Sequence, residues 1–151
     1  MQIKAINAAD TLRLRQQILR PDGDLLGCQF PGDADCATRH FGAYLESTLI
    51  GIVSVYEQAY PELGRYGYQL RAMAVAESAR GKQVGLKLLA VAEEAAFVAS
   101  ADYIWANARS SALGFYEKAG YQVLSDEFDI EGVGAHFLVF KKPLSGFCLS
   151  N

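Results

Sequence analysis

The sequence predicts an α+β (α/β layered) fold, in which a mixed, mostly antiparallel central sheet carries helices on both faces. Three observations lead there. The element types follow one another in the order β-α-(α)-β-β-β-α-β-α-β-β. Phe41 to Leu45 and Leu49 to Tyr56 read as strands joined by the tight turn Glu46-Ser47-Thr48. From Tyr66 to Ala99 the chain passes from a buried strand through a glycine-containing basic turn into a long helix.

The elements follow in chain order. Gln2 to Ile6 forms a first strand. Asn7 or Asp10 caps a helix with apolar positions at Leu12, Leu14, Ile18 and Leu19, and Pro21 ends it. Arg13, Arg15 and Arg20 interleave with those positions. A solvated helix face is the favoured reading for them; the functional one has Arg15 or Arg20 reaching a carboxylate on a substrate. Pro21 to Asp35 is rich in Pro, Gly and Asp and reads as a loop, long for a connection. Ala34 to His40 reads as a short helical turn. After the hairpin, Glu57 stands at a strand end, where a carboxylate acts as a base or is simply exposed. Gln58 to Arg65 is a loop broken at Pro61 and Gly64.

Tyr66 to Val75 is the next strand. Val84, Leu88, Val91 and Ala95 then recur at helical spacing, widened by Leu89, Ala92 and Ala96. Tyr103 to Asn107 is a short buried strand. Ser110 or Ser111 caps a helix ending near Lys118, with Gly120 as its stop. Tyr121 to Leu124 is a strand, and Ser125 to Gly134 is an acidic loop containing Asp126, Glu127, Asp129 and Glu131. His136 to Lys141 is the last strand. Residues 1–143 are expected to make one domain and 144–151 a C-terminal tail.

At 151 residues the chain can bury a sizeable core. A net charge of −3 argues against nonspecific nucleic-acid binding and suits a cationic amine. Cys28, Cys36 and Cys148 are odd in number and widely spaced, which fits a reducing cytoplasm. With two histidines and no C-x-x-C pair, no metal site is expected. The N-terminal MQIKAINAAD has no long apolar core and no apolar run reaches about 18 residues, so neither a signal peptide nor a membrane span is expected.

The turn Arg80-Gly81-Lys82-Gln83-Val84-Gly85 has the chemistry of an anion cradle. Helix N-termini carry unpaired N–H groups and the positive end of the dipole, and glycines let a ligand approach. Phosphate is the expected anion. The turn is not a P-loop, because no Gly-Lys-Ser/Thr follows, and G-x-G-x-x-G is absent.

This stretch resembles motif A of the GNAT superfamily of acetyl-CoA-dependent N-acyltransferases, Arg/Gln-x-x-Gly-x-Gly/Ala. Arg80 and Gly85 match its ends, and Gln83 stands where the family usually has glycine. A second block, Ala112-Leu113-Gly114-Phe115-Tyr116-Glu117-Lys118-Ala119-Gly120-Tyr121, resembles the family's A-x-x-x-Y-x-K-x-G-F. Where the family often has Asn seven residues before the tyrosine, this chain has Arg109, with Asn107 two residues earlier. The segments LRPDGDLLGCQFPGD, QLRAMAV, ANARSSALGFYEKAGY and EFDIEGVGAHF are similar to a bacterial subgroup related to ElaA.

The resemblance implies a GNAT sheet whose fourth and fifth strands splay around the cofactor, acetyl-CoA. It implies backbone contacts to the thioester and pantetheine arm from Ala72, Met73, Ala74 and Val75. Pyrophosphate contacts would come from Arg80, Gly81, Lys82, Gln83, Val84, Gly85 and Leu86, with Asn107 and Ala112 also beside the cofactor. Tyr116 would be the general acid, or else an ordinary core aromatic. Cys28, Gln29 and Phe30 are candidate substrate contacts, or part of a self-packed loop. Asp129 and His136 are candidate substrate contacts on the other side. The base stays open between Glu57, Asp129, His136 and a water relay. The acceptor would be a small-molecule amine or a peptide or protein amine, the protein a monomer or homodimer, with no nucleic-acid or membrane partner. Rival classes are a non-catalytic acyl-CoA-binding sensor on the same fold, a nucleotide-binding α/β domain and a nucleophile-based hydrolase, the last disfavoured by the absence of a G-x-S-x-G elbow.

Overall fold

The structure is a computed structural model in which residues 1–143 are described; the tail expected at 144–151 lies outside the described residues. Its contacts divide into two compact units. One comprises Met1–Glu57 and Leu70–Ala95, the other Gln58–Gln69 and the described residues from Ala96 onward.

In the first unit, β1 (Gln2–Ile6), β2 (Arg39–Leu45), β3 (Thr48–Glu57) and the later part of β4 (Gly67–Val75) lie side by side in that order. The β1/β2 and β2/β3 pairs are antiparallel, the second with a register shift between Ala43 and Tyr44. Helix α1 (Ala8–Leu14) follows β1, and its Asn7 N–H donates to Asp10 Oδ2, satisfying a group the helix start leaves over. It passes directly into a π-helical turn, Arg15–Leu19. Leu14, Ile52 and Ala74 form a buried cluster with Ile6, Ile18, Leu19 and Leu49 around it.

Helix α2 (Val84–Val98) has Val84, Leu88, Leu89, Ala92, Ala96 and Phe97 buried, the periodicity read from sequence. A Cβ on Gly51 would meet Val84 Cγ1 and Leu88 Cδ1 at 2.9 Å each, so α2 seats this closely on β3 only because residue 51 is glycine. Gly51 and Ile52 are successive in a strand and point to opposite faces. In this unit, therefore, α2 packs on one face of β3 and α1 belongs to the cluster on the other.

In the second unit, residues 67–69 of β4 pair in parallel with β5 (Tyr103–Arg109). β8 (Gly134–Lys141) is antiparallel to β5, to β6 (Gln122–Val123) and to β7 (Phe128–Ile130). Helix α3 (Leu113–Lys118) follows β5 after a 3-10 turn, Ser110–Ala112. Tyr103, Trp105 and Leu138 form its buried cluster, with Tyr60, Leu63 and Phe140 packed against it. Tyr103 Oη donates to Gly64 O at 2.7 Å and accepts from Tyr60 N at 2.9 Å, and Trp105 Nε1 donates to Gln58 O at 2.8 Å. Those bonds hold the loop after β3 in place. The ladders observed are antiparallel apart from β4/β5, so the mixed, mostly antiparallel sheet expected from the element order is present.

Three local expectations are corrected. Ala34 to His40 is not helical. Asp35 N bonds Gly32 O at 3.1 Å and Thr38 N bonds Asp35 O at 3.0 Å, two successive turns that lead straight into β2 at Arg39. Ser110 and Ser111 do not cap α3, whose N-cap is Ala112; the Ser110 hydroxyl donates instead to Glu127 Oε2 at 2.8 Å. The acidic loop contains a strand, because Phe128 and Ile130 alternate and Asp129 pairs with Ala135 across a hairpin.

Candidate active site

β4 does not run straight to its end. Ala72 has φ +59, a left-handed conformation unusual for a residue with a side chain and more so within a strand. Such strain persists where the surroundings enforce it, and it re-aims the groups that follow. Met73 and Val75 are half-buried and Ala74 is buried. Ala76 N then bonds Ile50 O at 2.8 Å, fixing the strand end, and a 3-10 turn, Glu77–Ala79, leads out.

Arg80, Gly81, Lys82 and Gln83 are exposed in the turn before α2. Gly81 adopts φ +83 and Gln83 φ +61. Gln83 O accepts the N–H of Lys87 at 3.1 Å, closing the first helical turn, so the amides before Lys87 belong to the helix start. Val84 is buried, Gly85 half-buried and Leu86 exposed. Nothing within 4 Å would touch a Cβ on Gly81; its glycine requirement is conformational. The position where Gln83 replaces the usual glycine is one whose backbone favours glycine. The chain accepts strain there without losing the turn.

A second constellation lies in the same unit. Arg15, expected on a solvated helix face, is fully buried. Its Nη1 donates to Asp33 Oδ2 at 2.7 Å and Cys28 O at 2.9 Å; its Nη2 donates to Asp33 Oδ1 at 3.1 Å, Ser54 Oγ at 3.0 Å and Tyr56 Oη at 3.2 Å. Tyr56 Oη in turn donates to Asp33 Oδ1. His40 Nε2 lies 2.9 Å from Asp33 O, which can only accept, so that nitrogen carries a proton. Its Nδ1 lies 2.6 Å from Ser54 Oγ. Burial pushes the Asp33 carboxyl up, but the hydrogen bonds from Arg15, Tyr56 and Phe30 N–H outweigh it and hold the group below its usual range. Burial, reinforced by the bond to Asp33, raises the Tyr56 hydroxyl to about 12.

Phe30 is half-buried beside this network. Three guanidinium carbons approach its ring centroid: Arg15 at 4.4 Å, Arg71 at 4.6 Å and Arg20 at 5.3 Å. Of the other loop candidates, Gln29 is exposed and Cys28 is completely buried, which takes its thiol out of reach of a substrate. Arg13 and Arg20 are exposed, as a solvated helix face requires. Glu57 is exposed at the end of β3.

In the second unit, Tyr116 is buried on α3, its ring edge-on to Phe115 and Tyr121 at 5.1 and 5.4 Å between centroids. Burial raises its hydroxyl to about 12. Asn107 is exposed and Ala112 half-buried. Asp129 is exposed on β7; His136 is buried, stacked on Phe128 at 6.2 Å, with Nδ1 2.7 Å from Gly134 O. Among the described residues no group of His, Cys, Asp and Glu is placed to hold a metal ion. No helix there is long and apolar enough to cross a membrane.

Residues 8–121 match the model of the acetyltransferase (GNAT) family. The chain belongs to that family. The N-acetyltransferase YitI of Bacillus subtilis (strain 168), itself uncharacterised, is 34% identical over 142 residues, covering 93% of this chain and 95% of YitI. Among solved structures, an aminoglycoside 6'-N-acetyltransferase complexed with coenzyme A is similar with a TM-score of 0.76 and 16% identity, over 94% of this chain and 97% of that one. Escherichia coli ElaA is similar with a TM-score of 0.73 and 16% identity, over 93% and 99%. At these identities the structures establish a shared fold. The GNAT protein is thus an acyltransferase that moves an acetyl group from acetyl-CoA to an amine. What sequence reasoning missed in this GNAT chain is the Arg15 network and Arg71. A signal existed for Arg15, which falls at helical spacing from the buried Thr11 and the half-buried Ile18.

Proposed function

We propose that the acceptor is a primary amine attacked in a ternary complex, with no acyl-enzyme, and that the cofactor is held by the residues of motif A. The observation that carries this is the backbone of the turn: left-handed φ at Gly81 and Gln83 immediately before α2. It leaves the amides from Gly81 to Leu86 at a positive helix end, suited to a pyrophosphate. Bound acetyl-CoA supplies an activated thioester. Backbone groups from Ala72 to Val75 orient the carbonyl and pantetheine arm, and Asn107 and Ala112 lie beside the cofactor. A base takes the proton as the C–N bond forms; Glu57, Asp129, His136 and a water relay are the candidates. Tyr116 gives a proton, or a hydrogen bond, to the thiolate as the C–S bond breaks. Gln29 and Phe30 contact the acceptor. The protein works in the cytoplasm as a monomer or homodimer; the unpaired thiols of Cys28 and Cys36 are in keeping with a reducing compartment.

Thermal melts with acetyl-CoA, CoA and NAD test this, since a ligand that binds only the folded state raises its stability. The expected outcome is a rise with acetyl-CoA and CoA at concentrations where NAD has none. Equal shifts with all three, or none, would overturn it.

A further inference from the structure

We infer that the acceptor amine also carries a carboxylate, and that Arg71, assisted by Arg20, binds it. The inference rests on the proposed placement of the thioester beside Ala72 to Val75. Arg15, Arg20 and Arg71 all approach the Phe30 ring, at 4.4, 5.3 and 4.6 Å. Their surroundings differ. Arg15 is neutralised by Asp33, which it grips with two hydrogen bonds. Among the described residues, the Arg20 and Arg71 side chains have no carboxylate and no hydrogen-bond partner; Arg71 makes only ring contacts, to Phe30 and to Tyr56 at 5.6 Å.

The Arg71 guanidinium is half-buried and still open to an incoming acceptor, and arginine's planar fork matches a carboxylate. Asp33 cannot serve, because its oxygens are taken by Arg15, Tyr56 and Phe30 N–H. The Phe30 and Tyr56 rings, at 4.6 and 5.6 Å, restrict the Arg71 guanidinium, which lowers the cost of docking an anion on it. Arg71 immediately precedes Ala72, the residue of β4 with left-handed backbone. Arg71 is thus the residue next to the segment proposed to hold the thioester, which favours an acceptor that carries its carboxylate and its amine on one small molecule.

The test is CoA release from acetyl-CoA by the full-length protein with three sets of amines: the twenty amino acids, their carboxamides, and carboxylate-free amines including spermidine. A charge-assisted contact of this kind predicts kcat/KM roughly 10- to 100-fold higher for the acids that react than for their amides. Arg71→Gln should collapse that ratio, Arg71→Lys should keep part of it, and both should melt and respond to acetyl-CoA as the wild type does. Amides or carboxylate-free amines reacting as well as the acids, or a ratio that survives in Arg71→Gln, would overturn the inference. So would acetyl-CoA binding with no release by any amino acid. Failure of acetyl-CoA to bind at all would instead overturn the cofactor assignment beneath it.

Discussion

Replacing Arg15 by methionine removes a charge while keeping most of the side chain's volume. Asp33, whose side chain is 10% exposed, would be left without the guanidinium that now pairs with it at 2.7 Å. Ser54 Oγ, Tyr56 Oη and Cys28 O would each lose a donor as well. Breaking a buried pair by deleting one partner costs about 3–5 kcal/mol, against a total stability of about 5–15 kcal/mol. For a chain of this size that is a fall in Tm of roughly 6–20 °C, at about 2–4 °C per kcal/mol. Arg15→Met/Asp33→Asn, which removes both charges, should recover much of the loss, because a hydrophobic replacement of a whole pair is often neutral. The pH profile gives a second readout. Asp33 has a folded pKa below its unfolded value of 3.8. The unfolded state therefore binds more protons in acid, and the contribution is complete above 3.8 and lost as pH falls through the folded value. Without Arg15 two of the causes that lower the carboxyl are gone, so it moves up and the acid loss begins at higher pH. Chemical denaturation across a pH series reads all of this. A single mutant within about 1 kcal/mol of wild type, or a double mutant no better than the single, would refute the account of the network.

Two further outcomes are expected. Gln83→Gly should stabilise the ligand-free protein by about 0.5–1 kcal/mol in thermal melts, because φ +61 costs a side-chain-bearing residue and not glycine; a destabilised variant would mean that the glutamine side chain holds the turn. Tyr116→Phe should lower kcat roughly tenfold or more with acetyl-CoA affinity almost unchanged, while a hydroxyl raised to about 12 makes a reluctant donor and favours the low end of the usual 10²–10⁴ range; wild-type kcat would return Tyr116 to the core.

The elements read well from sequence are those whose signal is local. β1 and α2 announce themselves within five to fifteen residues, by a short extended run and by 3.6-residue periodicity. The motif A turn is equally local, since its glycine positions mirror backbone angles in a few consecutive residues. The short strand Phe128–Ile130 was hidden by the acidic side chains around its two alternating apolar residues, although a partner hairpin strand outweighs them. The Arg15 network is of another kind. Its partners lie 13 to 41 positions away along the chain, and no window joins them. Even so, the length of the loop from Pro21 to Asp35 carried information: a connection that long is retained when it holds something. It supplies Asp33, which neutralises Arg15, and Phe30, on whose ring Arg71 lies. One loop thus settles which guanidinium is structural and which is left open. Asp33 and Arg15 satisfy each other in the interior, so around the Phe30 ring the charges proposed for a ligand are those of Arg71, from the strand, and Arg20. An arginine's sequence neighbours could not have drawn that distinction, because the deciding carboxylate arrives from a different part of the chain.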